Sequence, residues 1–405
     1  MTTIEEAKQL VIQAGIRLVE TGLIARTWGN VSHRIDGGRF VITPSGRDYR
    51  SLTPDDIVIV QTADCSYSGP VKPSSERGVH AAVYKQFPDV NFVIHTHQTY
   101  ASAISSCGLN AINVERGPLA GEILCAAYAL PSTKKLSRSV AAALAATQAR
   151  AVIMQNHGAI CYGADAEEAF LTAQQLESAC DHYIKAAYRQ LSGSERADAA
   201  SISRYALRLD RDAVSDEGAH SAVLHDIEKR LPNSRRTEDG YALLDPESGN
   251  EVMRIRFDEP EASLPEEARI YRQLYLNHRS IQHTTWNSCP EAVAISQIGA
   301  ALKPMLDDYA QIVGTSAKAV GNQLGAVNRA LKRSSAVFVR DLGALCCGSS
   351  EDDANAVSMV VDKNCKAYVA ARLLTDAKPI HYLESLLMRF VYLKQYSKQA
   401  AKSAH

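Results

Sequence analysis

Two histidines one residue apart close an apolar run, Asn91-Phe-Val-Ile-His95-Thr-His97. Phe92, Val93 and Ile94 read as a buried strand that ends at the histidines. Residues i and i+2 of a strand share a face, so His95 and His97 project together and could hold one metal ion. A second apolar run, Ala151 to Met154, leads into Gln155, Asn156, His157 and Gly158 and puts a third histidine at a strand end. Upstream, Lys72-Pro-Ser-Ser-Glu76-Arg-Gly-Val-His80 supplies a carboxylate. Three imidazoles and one carboxylate make a tetrahedral Zn²⁺ set with an exchangeable position. Glu76 is the natural acid/base of such a site. His80 lies one helical turn on, shares its face, and reads as a structural hydrogen-bonding residue.

These side chains need a scaffold that brings strand ends and a helix start together. Thr3 and Glu6 form a capping box ahead of an apolar stripe of Leu10, Val11, Ala14, Leu18 and Val19, and Gly22 stands where a C-cap belongs. Phe40–Thr43, Ile57–Val60, Phe92–His95 and Ala151–Met154 read as strands, and Ser75–Phe87 and Ala166 to about Gln190 as helices. Strands interleaved with helices predict a layered α/β domain. Ser74 and Ser75, at a helix start, offer hydroxyl and backbone N–H donors to an anion. Gly29 and Gly46 mark turns beside Thr27, Asn30 and Ser45.

The second half repeats the first. Residues 151–163 align with 336–348 at six identical positions of thirteen without a gap, and the register continues through Cys180/Cys365 and Tyr183/Tyr368. Residues 73–106 pair with 264–297, matching Glu76 with Glu267, Tyr84 with Tyr275, and Ala103-Ile-Ser105 with Ala294-Ile-Ser296. Two blocks in the same order define a tandem duplication with a polar linker over Ser192–Ser201, giving expected domains at 1–194 and 203–405. The second copy has lost the chemistry, because His95, His97 and His157 align with Trp286, Ser288 and Leu342. His278 and His283 lie nearby but off the ligand positions, and the Gly-Asn-Val-Ser and Ser-Gly segments show no clear counterpart between 202 and 262.

Composition narrows the partners. At 405 residues and 46% apolar the chain can bury two cores. Its net charge of −1 and lack of a long basic run argue against nucleic acid, and no stretch of about 18 apolar residues is present to span a membrane. The acidic N-terminus does not read as a signal peptide. Nine cysteines without a C-x-x-C pair read as free thiols in a reducing cytoplasm.

Taken together, Thr27-Trp-Gly-Asn30-Val-Ser32, Ile42-Thr-Pro-Ser45-Gly46, Pro73-Ser-Ser75-Glu76, His95-Thr-His97, Cys125-Ala-Ala-Tyr128-Ala129 and Asn156-His157-Gly158 resemble the class II aldolase/adducin family, most of all its L-fuculose-1-phosphate aldolase branch. The resemblance covers residues 1 to about 190. It implies two tandem three-layer domains, each a mostly antiparallel sheet flanked by helices. It also implies one Zn²⁺ or other divalent metal per chain, held by His95, His97, His157 and Glu76. The activity implied is cleavage of a ketose 1-phosphate to dihydroxyacetone phosphate and an aldehyde. The phosphate would meet Thr27, Asn30, Ser45, Gly46, Ser74 and Ser75, and Tyr128 would serve the aldehyde-side oxygen. A pentulose-phosphate 4-epimerase or a decarboxylase would use the same scaffold, although the epimerase branch carries Asp where Glu76 stands. An adducin-like binding protein is the non-catalytic alternative. The family's rings of four domains lead us to expect a homodimer of tandem chains, or a multiple of it.

Overall fold

The computed structural model describes residues 3–24, 28–115, 119–209, 231–321 and 323–395. The chain divides into two compact units, Met1–Ala187 with the return segment Leu374–Lys378, and Tyr188–Leu373 with Pro379–Leu393. The tandem α/β organisation read from the sequence is thus present in the fold.

The first unit opens with α1 (Ile4–Glu20), where the Thr3–Glu6 capping box forms and Gly22 takes φ +69° just past the end. Its sheet contains β1 (Asn30–Arg34), β2 (Arg39–Ile42), β3 (Val58–Gln61), β4 (Phe92–Thr96), β5 (Ala111–Val114), β6 (Gly121–Ala126), β7 (Ala151–Met154) and β8 (Gly158–Gly163). The strands lie in the order β3-β2-β1-β4-β8-β7-β6-β5. Every neighbouring pair is antiparallel except β6 and β7. Helices α2 (Arg77–Gln86) and α4 (Lys134–Ala145) pack on one face. Val79, Val83, Leu136 and Val140 from these helices join Phe40, Ile42, Val93, Ile160 and Tyr162 from the sheet. Helix α3 (Thr99–Ser105) contacts β7 and β8, and α5 (Ala166–Ser192) buries Phe170 and Leu176.

The second unit repeats the order with one strand fewer. Its strands are β9 (Asn233–Arg236), β10 (Gly240–Leu244), β11 (Glu251–Arg256), β12 (His283–Asn287), β13 (Ala319–Val320), β14 (Ala336–Val339) and β15 (Gly343–Gly348). They lie as β11-β10-β9-β12-β15-β14-β13, again with a single parallel pair, β13 and β14. The fold corrects one sequence expectation. The Asn30–Arg34 strand does have a counterpart between 202 and 262, namely β9. Ser32 Oγ meets Tyr84 Oη at 2.7 Å and Ser234 Oγ meets Tyr275 Oη at 2.8 Å. Arg34 donates to the carbonyls of Tyr84, Phe87 and Val90, and Arg236 to those of Tyr275, His278 and Ile281. Only two side chains of this short strand, Ser234 and Arg236, keep the pattern, which is too little to align in sequence.

All nine cysteines are free thiols. Among the described residues no helix is long and apolar enough to cross a membrane.

Candidate active site

The site is built where β4 leaves the centre of the first sheet. Asn30 pairs with His95, and His95 with Ile160, so β1 and β8 flank β4 at that point. His95 shares its strand face with Val93, which packs into the α2/α4 cluster, so the imidazole points toward the start of α2. His157 sits in the three-residue turn between β7 and β8, with Asn156 in the left-handed region at φ +57°. Gly158 is required next to it: a Cβ there would lie 2.2 Å from the Thr96 carbonyl oxygen and 3.3 Å from the His95 ring. Gly29 has the same cause, since a Cβ there would meet the His95 carbonyl oxygen at 2.7 Å.

Helix α2 begins two residues later than the sequence reading, and Glu76 is its N-cap. Ser74 accounts for the difference. Its Oγ accepts the Glu76 N–H at 3.2 Å and its carbonyl the Arg77 N–H at 3.2 Å, holding the chain in a turn before the helix starts. The cap conformation aims the carboxylate into the histidines: Glu76 Oε1 lies 3.0 Å from His157 Nε2 and Oε2 lies 3.3 Å from His95 Nε2. His97 Nε2 is 2.9 Å from His95 Nε2, and the three rings have centroids 4.7–4.8 Å apart. Glu76, His95, His97 and His157 are all buried.

These residues fit a divalent cation. One ligand atom from each of the three histidines falls within 4.8 Å of the others. His95 Nδ1 is 2.9 Å from the Ala159 carbonyl oxygen, so Nδ1 carries the proton and the Nε2 lone pair faces the cluster, the tautomer a metal ligand needs. The electrostatics agree. Burial alone would raise the Glu76 pKa, but its pairing with the His157 ring and the hydrogen bond from Asn30 outweigh it and hold the carboxyl well below its ordinary range. Burial keeps the His95 ring neutral, with its pKa well below the usual imidazole range despite the nearby Glu76 charge.

Asn30 and His80 form the layer behind. Asn30 Nδ2 donates to Glu76 Oε2 at 3.1 Å, while its Oδ1 meets His80 Nε2 and His80 Nδ1 meets Ser32 Oγ at 2.7 Å. His80 is fully buried, and desolvation lowers its pKa to about 3. Asn30 therefore positions the carboxylate, and it does so 46 residues away in sequence.

The other sequence-selected residues surround this centre unevenly. Ser45 N–H donates to the Lys72 carbonyl and Ser74 N–H to that of Thr43, both at 3.0 Å, so Ser45, Gly46 and Ser74 lie on adjoining backbone segments beside Glu76. Gly46 adopts φ +68°, which suits glycine alone without strain. Ser75 is exposed and joins Ser132, whose Oγ donates to Ser75 Oγ at 2.7 Å. Ser132 was not singled out by the sequence, although a non-glycine residue at φ +64° marks its turn as unusual. Tyr128 is half-buried after β6, with its N–H donating to Gln155 Oε1 at 3.1 Å, two residues before His157. Thr27 lies outside the described residues.

In the second unit His278 Nε2 contacts the Asn328 carbonyl at 3.2 Å, and His283 begins β12. The other ligand-type group among the described residues, Cys289, Glu291 and Asp362, has Lys366 for a counterion, with Nζ 3.5 Å from Glu291 Oε2.

The model of the class II aldolase and adducin N-terminal domain family matches residues 9–184 and again 229–369. The chain belongs to that family. The chain is 31% identical over 185 residues to a 5-deoxy-D-ribulose 1-phosphate aldolase from Bacillus thuringiensis serovar kurstaki, covering 45% of this chain and 86% of that protein. It is 34% identical over 177 residues to an L-fuculose phosphate aldolase from Escherichia coli O6:H1, covering 43% and 80%. A solved structure of L-fuculose 1-phosphate aldolase aligns at 28% identity and a TM-score of 0.41, covering 48% of this chain and 89% of that one.

Proposed function

We propose that this chain is a zinc-dependent class II aldolase that cleaves a ketose 1-phosphate to dihydroxyacetone phosphate and an aldehyde, with its active site in the first repeat, residues 1–194. The observation that carries the reading is the buried Glu76 carboxylate between His95 and His157. Relatives named as sugar-phosphate aldolases support the substrate class.

When bound by His95, His97 and His157, a divalent cation would supply Lewis-acid polarisation of the substrate carbonyl. Glu76, held ionised by its neighbours, is a ready base once substrate approaches. In the synthetic direction it takes a proton from the hydroxymethyl carbon of dihydroxyacetone phosphate. That carbon bonds to the aldehyde carbon, and Tyr128 gives a proton to the aldehyde oxygen; cleavage runs in reverse. Asn30 keeps the carboxylate oriented through its 3.1 Å hydrogen bond. Ser45, Gly46, Ser74 and Ser75 hold the phosphate on hydroxyl and backbone N–H donors, with Thr27 as a further donor. The second repeat, residues 203–405, is a structural unit without its own metal.

The test is to load the purified chain with Zn²⁺ and incubate it with dihydroxyacetone phosphate and a panel of short aldehydes. New ketose phosphate is the expected product. No condensation with any aldehyde, alongside tight metal binding, would reject the activity while leaving the site intact.

A further inference from the structure

The last described helix, Tyr382–Gln395, lies on the second unit with its apolar stripe outward. The inward side is anchored largely by polar contacts. Arg389 Nη1 donates to the Gln311 carbonyl at 2.7 Å and to that of Ile312, and Nη2 reaches Ser335 Oγ at 3.4 Å. Ser385 and Met388 are the buried side chains of this face. The outward side carries Tyr382, Leu383, Leu386, Leu387 and Val391, between 38% and 64% exposed. Leu383, Leu387 and Val391 repeat every four residues with Leu386 beside them, a spacing that makes one straight stripe along a helix. Surface helices of stable monomers turn such a stripe inward.

The same unit shows what a covered helix of this type looks like. Ala199–Ala206 follows the long helix of the first repeat as Tyr382–Gln395 follows that of the second, Glu351–Leu374. It packs on the helix Pro290–Ile298, and its apolar residues Ile202 and Ala206 are each only 6% exposed. Among the described residues, the apolar side chains of the first repeat's trailing helix are buried by protein, and the outward ones of the second repeat's are not.

We propose that the outward face of Tyr382–Gln395 is a self-association surface whose occupant is a second copy of this chain, the two helices pairing antiparallel across a twofold axis. A single straight stripe is self-complementary under such an axis, with each Leu383 reaching toward the Val391 end of its mate. The five side chains expose on the order of 500 Å² per copy, so pairing would remove at most roughly 1,000 Å² from water, the lower bound for a specific interface and the size of a reversible one. The surface is independent of the metal site and of the aldolase reading.

Light scattering on the full chain, together with an L383E/L387E double variant, tests this. The wild type should run at twice the 44.0 kDa chain mass at micromolar concentration. The variant should need at least a ten-fold higher concentration to associate, with an unchanged far-ultraviolet circular dichroism spectrum because both positions are exposed within one chain. A second measurement does not depend on the variant's folding. Leu387→Cys chains should cross-link to a covalent dimer with a short bis-maleimide, and Val252→Cys chains, altered at an exposed position of β11, should not. A wild-type monomer, an unchanged mass for L383E/L387E, or equal cross-linking at both positions overturns the proposal. So does sedimentation of a monomeric wild type with phosphatidylserine vesicles that L383E/L387E abolishes.

Discussion

The two repeats keep one framework and differ at its centre, which separates the residues that make the fold from those that make the site. Both hold the Ser–Tyr hydroxyl pair between a strand and a helix, and both use an arginine to gather three carbonyls at the far end of that helix. Both have an aromatic ring against that tyrosine, Phe40 at 5.2 Å from Tyr84 and Tyr241 at 5.8 Å from Tyr275. The differences follow one line. With Ser234 and Arg236 in the places of Ser32 and Arg34, Pro232 stands where Asn30 would. Tyr271 aligns with His80 and Trp286 with His95. In the first unit a chain of polar groups runs from Ser32 through His80 and Asn30 to the Glu76 carboxylate. In the second, Trp286 Nε1 donates to Tyr271 Oη at 2.8 Å and Tyr271 Oη donates to the Pro232 carbonyl. That chain ends on backbone, at the Pro232 carbonyl. Half-buried Trp286 and Leu342 pack against the second core where the first unit keeps polar groups. Reverting three histidines alone would therefore not rebuild the site.

The contrast can be broken at its strongest point first. His95→Ala should abolish turnover and reduce bound metal from one per chain to near zero, because it removes one of three histidine ligands that lie equally close to one another. A stoichiometry near two per chain in the wild type, read by elemental analysis, would place a metal in the second unit as well. Glu76→Gln should leave the fold and metal binding in place and lower turnover by roughly 10²–10⁴, the usual loss for an acid/base group; near-normal turnover removes Glu76 from the chemistry.

Ser75→Ala should raise KM for phosphorylated substrates by about ten-fold, the loss of one hydrogen bond to a charged group. Equal losses on phosphorylated and unphosphorylated substrates would contradict a phosphate role. His80 gives a pH signature that Tyr271 cannot. Its folded pKa is near 3, against 6.5 for an ordinary histidine. The stability held by the neutral ring is thus complete above pH 6.5 and drains away as the pH falls toward 3, by up to about 1.4 kcal/mol per pH unit. Denaturant titrations between pH 7 and 4 should show that slope reduced in His80→Gln, and an unaltered slope would assign the acid sensitivity elsewhere. The smallest expected effect is none at all. Trp286→His, Ser288→His and Leu342→His together should leave the metal stoichiometry near one, and a second bound ion would show that ligands alone suffice.

Much of this was legible in the chain itself, for a physical reason. A strand alternates its faces, so His95-Thr-His97 dictates a paired presentation before any fold is known. The duplication and the loss of all three histidines in its second half follow from residues at fixed spacing. The tertiary structure decided what depends on distant segments meeting. Asn30 becomes a partner of Glu76 and His80 only because β1 lies beside β4, a neighbourhood that no local pattern encodes. The counterpart strand β9 was invisible because two retained side chains, Ser234 and Arg236, carry its role through contacts rather than through similarity. The periodicity of Tyr382–Gln395 likewise encodes an apolar stripe. Which side turns inward was set by Arg389 finding the carbonyls of Gln311 and Ile312, an energetic choice made between elements far apart in sequence.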